Sequence, residues 1–270
     1  MDIGIVTIMR KGVNSMEKVS AFGLKVCQLI GWNPEFCTEE MAEKIIQDSR
    51  EHGIRIGAMW GWGAGPGKFN FTEGPVTLGL VPEAYREERV QTLKNWADFA
   101  QRIGAPALVT HCGFIPENAT DPGYPGVVEA IRDVAGYCRS KGLGFWFETG
   151  QETPVVLLRT IERVGEENLG INLDPANLIL YGKGNPIDAL DVIGPYVRCV
   201  HVKDGLYPTN GDELGKEVLT GTGRVRFPEF LKKLRSMGYD GDLIIEREIT
   251  GEQQERDIRT TIDNLHRWLA

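Results

Sequence analysis

Two hydrophobic patterns alternate along the chain. Short apolar runs, many of them β-branched, are followed by longer stretches whose apolar residues recur at helical spacing. This alternation is typical of βα units built around a parallel sheet. The short runs predict eight strands, at Ile3–Ile8, Lys25–Ile30, Ile54–Trp60, Ala107–His111, Gly144–Glu148, Gly170–Leu173, Val197–His201 and Leu243–Glu246.

The helical patterns lie between these runs and after the last one. In the final stretch Ile258, Ile262, Leu265 and Leu269 form one apolar stripe, as expected of a helix packed on a sheet. Glycines such as Gly53 follow several patterns, where helices often end. The predicted helices are Ser15–Ala21, Glu39–Glu51, Glu83–Ile103, Gly126–Lys141, Pro154–Val164, Pro228–Met237 and Glu252–Leu269.

Eight strands in strict alternation with helices predict a single (β/α)8 barrel, a TIM barrel, as one domain over residues 1–270. An open, doubly wound sheet is the competing architecture. It would place a glycine-rich phosphate turn after the first strand. The chain has Met9-Arg10-Lys11 there, with only Gly12 following, so the pattern favours the barrel.

The predicted loops are uneven in length. Long segments follow the third, fourth, sixth and seventh strands, at Gly61–Val81, Cys112–Pro125, Pro175–Asn185 and Lys203–Arg226. TIM barrels carry their active sites at the C-terminal face of the strands, where such loops gather. The glycine-rich run Gly61–Gly67 is expected to be a mobile lid over this face.

Four consecutive predicted strands end on a residue that can bind a metal. Glu148, Asp174, His201 and Glu246 close the fifth to eighth apolar runs. Taken alone, Asp174 is equally explained as a helix N-cap, and a single histidine at a strand end is often structural. Three carboxylates buried together repel one another, and a divalent cation removes that cost. The set therefore predicts a metal site. Its three oxygens and one nitrogen favour Mn²⁺, with Mg²⁺, Co²⁺ and Zn²⁺ as alternatives.

Composition narrows the class of protein. The net charge is −8 and the pI about 5.2, which argues against nucleic-acid binding. No apolar run reaches the roughly 18 residues of a membrane span. Five cysteines without a C-x-x-C pair are expected to be reduced, mostly buried thiols. We therefore expect a cytoplasmic protein.

Several motifs resemble those of the xylose-isomerase-like barrel superfamily, in its sugar phosphate isomerase/epimerase branch. They are F-E-T-G at Phe147–Gly150, N-L-D-P-A-N at Asn172–Asn177, H-V-K-D at His201–Asp204, G-T-G at Gly221–Gly223 and G-Y-D-G-D-L-I-I-E at Gly238–Glu246. The resemblance implies the same four metal ligands. It also implies that Glu148 and Glu246 are the catalytic acid/base pair, and that the protein is a dimer or tetramer.

Two positions depart from the ketose 3-epimerases of this branch. Those enzymes have a histidine where this chain has Asn177, and a glutamate where it has Pro154. Glu152 stands nearby instead. The resemblance is therefore to the broader branch, which also includes hydroxypyruvate isomerases and inosose-processing enzymes.

The expected activity is isomerisation or epimerisation of a small carbohydrate or its phosphate. Proton abstraction next to a carbonyl would give an enediolate that the metal stabilises. A metal-dependent dehydratase or lyase of the inosose or dehydroshikimate type is the alternative, because the same chemistry can expel a β-hydroxyl. A non-catalytic sugar-binding barrel is a remote third interpretation.

Further residues are candidates for the substrate pocket. His111 ends the fourth predicted strand, and Lys203 follows His201 by two positions, so both are expected at the same mouth. The complete set of substrate-binding candidates is His111, Asn177, Lys203, Arg224, Trp60 and Trp62. For each of His111, Lys203 and the tryptophans a purely structural role is the alternative. Gln28, Trp32 and Glu248 are additional pocket candidates.

Overall fold

The computed structural model describes residues 1–270 and contains a closed, eight-stranded barrel. The strands follow one another around the barrel in chain order, and every pairing is parallel. The predicted TIM barrel is confirmed. Its strands are β1 (Ile3–Ile8), β2 (Val26–Gly31), β3 (Arg55–Gly61), β4 (Ala107–Thr110), β5 (Gly144–Glu148), β6 (Leu169–Leu173), β7 (Val197–Val202) and β10 (Asp242–Ile245).

Helices separate the strands and cover the outside of the barrel. None of them is long and apolar enough to cross a membrane. Their bounds are α1 (Ser15–Ala21), α2 (Glu39–His52), α3 (Gly74–Thr77), α4 (Glu83–Arg102), α5 (Tyr124–Ser140), α6 (Pro154–Val164), α7 (Pro175–Leu180), α8 (Pro186–Ile193), α9 (Phe227–Ser236) and α10 (Glu252–Leu269).

Two predicted loops contain regular structure. The prediction of a loop at Pro175–Asn185 is wrong for its first half, because Pro175–Leu180 forms α7 directly after β6. Six residues are too few to show a helical period in the sequence. The loop expected at Lys203–Arg226 contains a small antiparallel hairpin, formed by β8 (Asp204–Leu206) and β9 (Lys216–Val218).

Alternate residues of each strand face the helices or the barrel interior. On β5, Phe145 and Phe147 belong to the main apolar core, whereas Trp146 packs on the smaller clusters of apolar residues contributed by other strands. Burying each phenylalanine stabilises the fold by about 1.5–3 kcal/mol. The same alternation directs Glu148, two residues after Trp146, inward at the end of the strand.

The segment after β3 is fixed by a buried arginine of α4. Arg89 is 1% exposed, and its guanidinium donates hydrogen bonds of 2.7–2.8 Å to the carbonyls of Ala64, Pro66, Thr77 and Gly79. Bonds from a charged donor are strong. In the run Gly61–Gly67, predicted to be a mobile lid, these bonds hold the carbonyls of Ala64 and Pro66 against α4. The mobility of the run stays a prediction.

Candidate functional site

Four titratable side chains converge at the C-terminal mouth of the barrel. Glu148 is the last residue of β5, Asp174 follows β6, His201 lies in β7, and Glu246 follows β10. One potential ligand atom from each lies within 4.8 Å of those of the others. The structure thus brings together the four predicted metal-ligand candidates.

The ring of His201 presents its two nitrogens to different surroundings. Nε2 lies 2.6 Å from Oε1 of Gln28, a contact that is a hydrogen bond only when Nε2 carries the proton. In the neutral ring, Nδ1 then bears a lone pair. Nδ1 lies 3.2 Å from Oε1 of Glu148 and 3.1 Å from Oε2 of Glu246, yet it makes no hydrogen bond. Nδ1 therefore faces carboxylates from two sides, an arrangement that positive charge stabilises, whether as a proton on Nδ1 or as a cation bound between these groups.

The two carboxylate oxygens of Asp174 have different surroundings: one caps a helix and the other faces the metal-ligand candidates. Oδ1 accepts a 2.9 Å hydrogen bond from the backbone N–H of Asn177 and so caps α7. Oδ2 is buried without a hydrogen-bond partner and lies 3.4 Å from the ammonium of Lys203 and 3.7 Å from Nδ1 of His201. The hydroxyl of Thr149 contacts the Asp174 backbone N–H at 2.8 Å and its carbonyl at 2.9 Å. The N-cap and metal-ligand interpretations are therefore compatible, because each uses a different oxygen.

Glu148 is enclosed by aromatic rings. Its Oε2 accepts a hydrogen bond from the indole N–H of Trp60 and lies 3.6 Å from Nε2 of His111. His111 packs edge-on against Trp60, with ring centroids 6.0 Å apart. These contacts leave Oε1 as the carboxylate oxygen that faces His201.

Glu246 is held by a buried lysine. The ammonium of Lys203, 2% exposed, lies 3.2 Å from Oε2 of Glu246 and 2.7 Å from Oε1 of Glu248. It also donates to Oδ1 of Asn177 at 3.3 Å. Lys203 therefore neutralises part of the negative charge of the cluster and joins β7 to the segment after β10.

The electrostatics of the cluster favour the ionised forms of Glu148 and Glu246. Burial alone would raise the pKa of Glu246, but the ammonium of Lys203 and the ring of His201 hold it well below its usual value. Burial alone would lower the pKa of His201, whereas Glu246 and Glu148 raise it well above the usual 6.5. A site that stabilises positive charge at its centre in this way suits a cation.

A cavity of about 290 Å³ opens above the cluster. That volume is at the lower end of the range for small-molecule sites, which suits a ligand the size of a monosaccharide. Of the substrate-binding candidates, Trp60, His111 and Asn177 line the cavity. Lys203 does not line it but donates hydrogen bonds to two residues that do, Glu246 and Glu248. Trp32 and Glu248 line it as expected.

The remaining candidates lie elsewhere. Trp62 stacks on Trp60 at 5.9 Å, behind the cavity wall, and Arg224 is exposed and lines no part of this cavity. Sequence reasoning missed Phe69, Tyr181 and Leu214, which line the cavity from long segments without any periodic signal. Asn172 could have been found: it precedes Asp174 by two, so alternation directs it inward, where its amide contacts Gln28 and His201.

Comparison with known proteins gives one family. The profile described as "Xylose isomerase-like TIM barrel" matches residues 16–268. A solved structure, the xylose isomerase domain protein from Planctomyces limnophilus, is 35% identical and superposes with a TM-score of 0.93 over 99% of this chain and 96% of that chain. A D-tagatose 3-epimerase-like protein is 20% identical, with a TM-score of 0.76 over 100% of this chain and 97% of that one, and shares the fold.

Curated relatives match over a shorter length. The inosose dehydratase of Geobacillus kaustophilus is 25% identical over 191 residues, which is 60% of this chain and 62% of the relative. The chain spans about three fifths of the length of the first curated relatives it matches. Structures that share the fold also include a D-psicose 3-epimerase and a probable 3-DHS dehydratase, which are 18% and 15% identical to this chain.

Proposed function

The chain belongs to the xylose isomerase-like TIM barrel family, and from this premise we propose that it is a divalent-metal-dependent isomerase or epimerase of a small carbohydrate or carbohydrate phosphate. The observation that carries the proposal is that Nδ1 of His201, which makes no hydrogen bond, lies among the carboxylates of Glu148, Asp174 and Glu246. Enolisation next to a carbonyl is the chemistry for which such a site is suited.

Glu148, Asp174, His201 and Glu246 would hold the metal. Oδ2 of Asp174 and Nδ1 of His201 are buried and make no hydrogen bond, although the ammonium of Lys203 lies 3.4 Å from Oδ2. Both atoms are therefore available to a cation. Carboxylates with one imidazole favour Mn²⁺, and Mg²⁺, Co²⁺ and Zn²⁺ remain alternatives. A divalent ion bound there would polarise a substrate carbonyl and stabilise negative charge on its oxygen.

The two glutamates are suited to move the proton. Glu148 and Glu246 approach His201 from β5 and from the end of β10, so that a sugar in the cavity has a carboxylate from each direction. Trp60 and His111 orient Glu148, and Lys203 orients Glu246 and keeps it ionised. A base on each face gives epimerisation, whereas one base that returns the proton to the adjacent carbon gives aldose–ketose isomerisation.

The test is solvent exchange followed by NMR. Manganese-loaded and then magnesium-exchanged protein is incubated in D₂O with ketoses, ketose phosphates, hydroxypyruvate and inososes. We expect deuterium at a carbon next to the carbonyl and a new isomer of unchanged formula. Glu148→Gln should abolish both signals. Exchange that survives in both Glu148→Gln and Glu246→Gln would overturn the assignment of the acid/base pair.

A dehydratase is the second candidate, supported by the likeness to an inosose dehydratase. The same carbanion character can expel a hydroxyl on the neighbouring carbon. Mass spectrometry of the same incubations separates the two reactions, because a dehydratase product is lighter by one water. That product, without a new isomer, would replace the isomerase proposal with the dehydratase.

The metal assignment has its own test. His201→Ala and Asp174→Ala should each remove most of the bound metal, measured by elemental analysis after dialysis, together with the activity. His266→Ala replaces an exposed histidine of α10 and is the matched control. Retention of stoichiometric metal by either site variant would contradict the proposed ligand set.

A further inference from the structure

A second cavity of about 530 Å³ adjoins the one above the carboxylate cluster. The two share four lining residues, Ile30, Trp32, Glu246 and Glu248, so they form one continuous cleft at the barrel mouth. The larger part lies over the ends of β1 and β10 and beside α1 and α10. A substrate confined to the smaller cavity would leave most of this cleft unused.

Two cations that line the second cavity have no ionic partner. Arg10 and Lys18 both face it, and no carboxylate oxygen lies within 4.0 Å of either charged group. Lys18 donates instead to the neutral amide oxygen of Gln254 at 2.7 Å, and the charge of Glu255 acts on it only from a distance.

The other charged groups that line this cavity already contact groups of opposite charge, although Glu246 and Glu248 share one ammonium. Arg247 makes ion pairs with Glu217 at 2.9 Å and Asp257 at 2.8 Å. Glu246 and Glu248 both contact the ammonium of Lys203. Arg10 and Lys18 therefore provide the positive charge that is free to bind a ligand.

We propose that the substrate extends from the carboxylate cluster past Trp32 into the second cavity, where Arg10 and Lys18 bind an anionic group of the sugar, either a phosphate ester or a carboxylate. This inference rests on the proposed function and names its substrate class. Guanidinium and ammonium groups are the side chains that bind phosphate and carboxylate oxygens most strongly.

Trp32 is suited to carry the sugar between the two cavities. It is 44% exposed, and its ring lies 4.8 Å from that of Trp60 and 5.5 Å from that of Trp62. Trp60, Trp62 and Phe69 pack against the indole, which lines both cavities and stays partly exposed. An exposed, supported aromatic face binds the apolar C–H face of a sugar ring and leaves the anionic group free to reach Arg10.

The test compares three probes of similar size on the magnesium-loaded protein by isothermal titration calorimetry. D-Fructose is neutral, D-fructose 6-phosphate carries a phosphate, and D-fructuronate carries a carboxylate. We expect at least one anionic probe to bind about tenfold or more tightly than D-fructose. The stronger of the two anionic probes identifies which anion the cavity prefers.

Variants assign that preference to the two cations. The double variant R10A/K18A should bring the dissociation constant of the preferred anionic probe to within about twofold of that of D-fructose. Lys11→Ala removes the exposed neighbour of Arg10, which lines neither cavity, and should keep the full preference. A preference that survives in R10A/K18A, or equal binding of all three probes by the wild type, whether tight or undetectable, would overturn the anionic subsite.

Deuterium exchange with the same probes separates this inference from the proposed function. Exchange into D-fructose without any anionic preference would overturn the subsite and leave the isomerase proposal standing. An anionic preference that depends on Arg10 and Lys18, with neither exchange nor a new isomer in any sugar tested, would support the subsite and overturn the proposed function.

Discussion

A glutamine on the far side of the barrel decides which nitrogen of His201 faces the carboxylates. Gln28 lies in β2, is fully buried, and meets Nε2 of His201 at 2.6 Å. Its own amide nitrogen donates to Oδ1 of Asn172 at 3.1 Å, which fixes the orientation of the amide. Partners of this kind orient a metal-binding histidine and raise its basicity.

Replacing this glutamine tests its role. Gln28→Leu keeps the volume of the side chain but removes the acceptor, so the ring of His201 loses its preferred tautomer. We expect metal affinity to fall by about 10- to 100-fold, while the four proposed ligands remain. Competition with a metal-sensitive dye measures the affinity. Gln91→Leu changes an exposed glutamine of α4 and is the control; equal affinity in the two variants would contradict the prediction.

At the scale of elements, one carboxylate organises the long segment after β7. Oδ1 of Asp204 accepts hydrogen bonds from the backbone N–H groups of Gly205 and Val225, and Oδ2 from those of Gly221 and Gly223, at 2.9–3.1 Å. A side chain at Gly223 would collide with this carboxylate, since its Cβ would lie 2.1 Å from Oδ1. This contact explains physically why H-V-K-D and G-T-G occur together.

An amide at position 204 should loosen this segment. Asp204→Asn leaves one acceptor oxygen and turns an NH₂ group toward two N–H donors, so two buried hydrogen bonds are lost. We expect the free energy of unfolding to fall by about 3 kcal/mol, measured by urea denaturation. Asp212→Asn, an exposed position in the same segment, should change it by less than about 0.5 kcal/mol. Equal losses in the two variants would contradict the account.

The sequence predicted those elements whose pattern is long enough to repeat. The eight strands agree with the structure to within one residue at every end, and α10 matches Glu252–Leu269 at both ends. The six residues of α7 and the three-residue strands of the hairpin are too short for a period to appear. Their positions depend on tertiary contacts, such as the capping of α7 by Asp174.

The residues of the candidate site were also predictable only in part. Residues at strand ends were predictable, because parallel strands deliver their C-terminal ends to one face, and Glu148, Asp174, His201 and Glu246 meet there. Residues contributed by loops were not. Arg224 follows the G-T-G motif, yet its backbone N–H bonds Gly205 while its side chain is exposed. Nothing in the sequence shows whether the Arg224 side chain lines the cavity or faces the solvent.

At the scale of the whole molecule, a buried acid outside the carboxylate cluster connects folding stability to pH. Glu152 is 3% exposed, and its Oε2 has no hydrogen-bond partner. Burial raises the pKa of this carboxyl from its usual 4.5 to about 8. The folded chain therefore keeps Glu152 protonated at pH values where the unfolded chain has already released the proton.

The sign of the effect follows from this difference in bound protons. Between about pH 4.5 and 8 the folded state holds one proton more at Glu152 than the unfolded state, so stability falls as the pH rises through this range and levels off above it. Glu152→Gln removes the titration and keeps the shape. Relative to wild type, it should therefore be nearly neutral at pH 4.5 and more stable by several kcal/mol, on the order of 4, at pH 8.5.

Urea denaturation of the chelated proteins at a series of pH values measures this difference without a contribution from metal binding. Protonation of His201 and of the other carboxylates contributes equally to wild type and Glu152→Gln. These contributions cancel when the two curves of unfolding free energy against pH are subtracted. Glu162→Gln, at an exposed position of α6, should give a flat difference curve. A difference curve for Glu152→Gln that is also flat would mean that Glu152 ionises in the folded protein as it does in water. The cost of its burial would then have to be offset by a partner such as Lys183, whose charge lowers the pKa of Glu152.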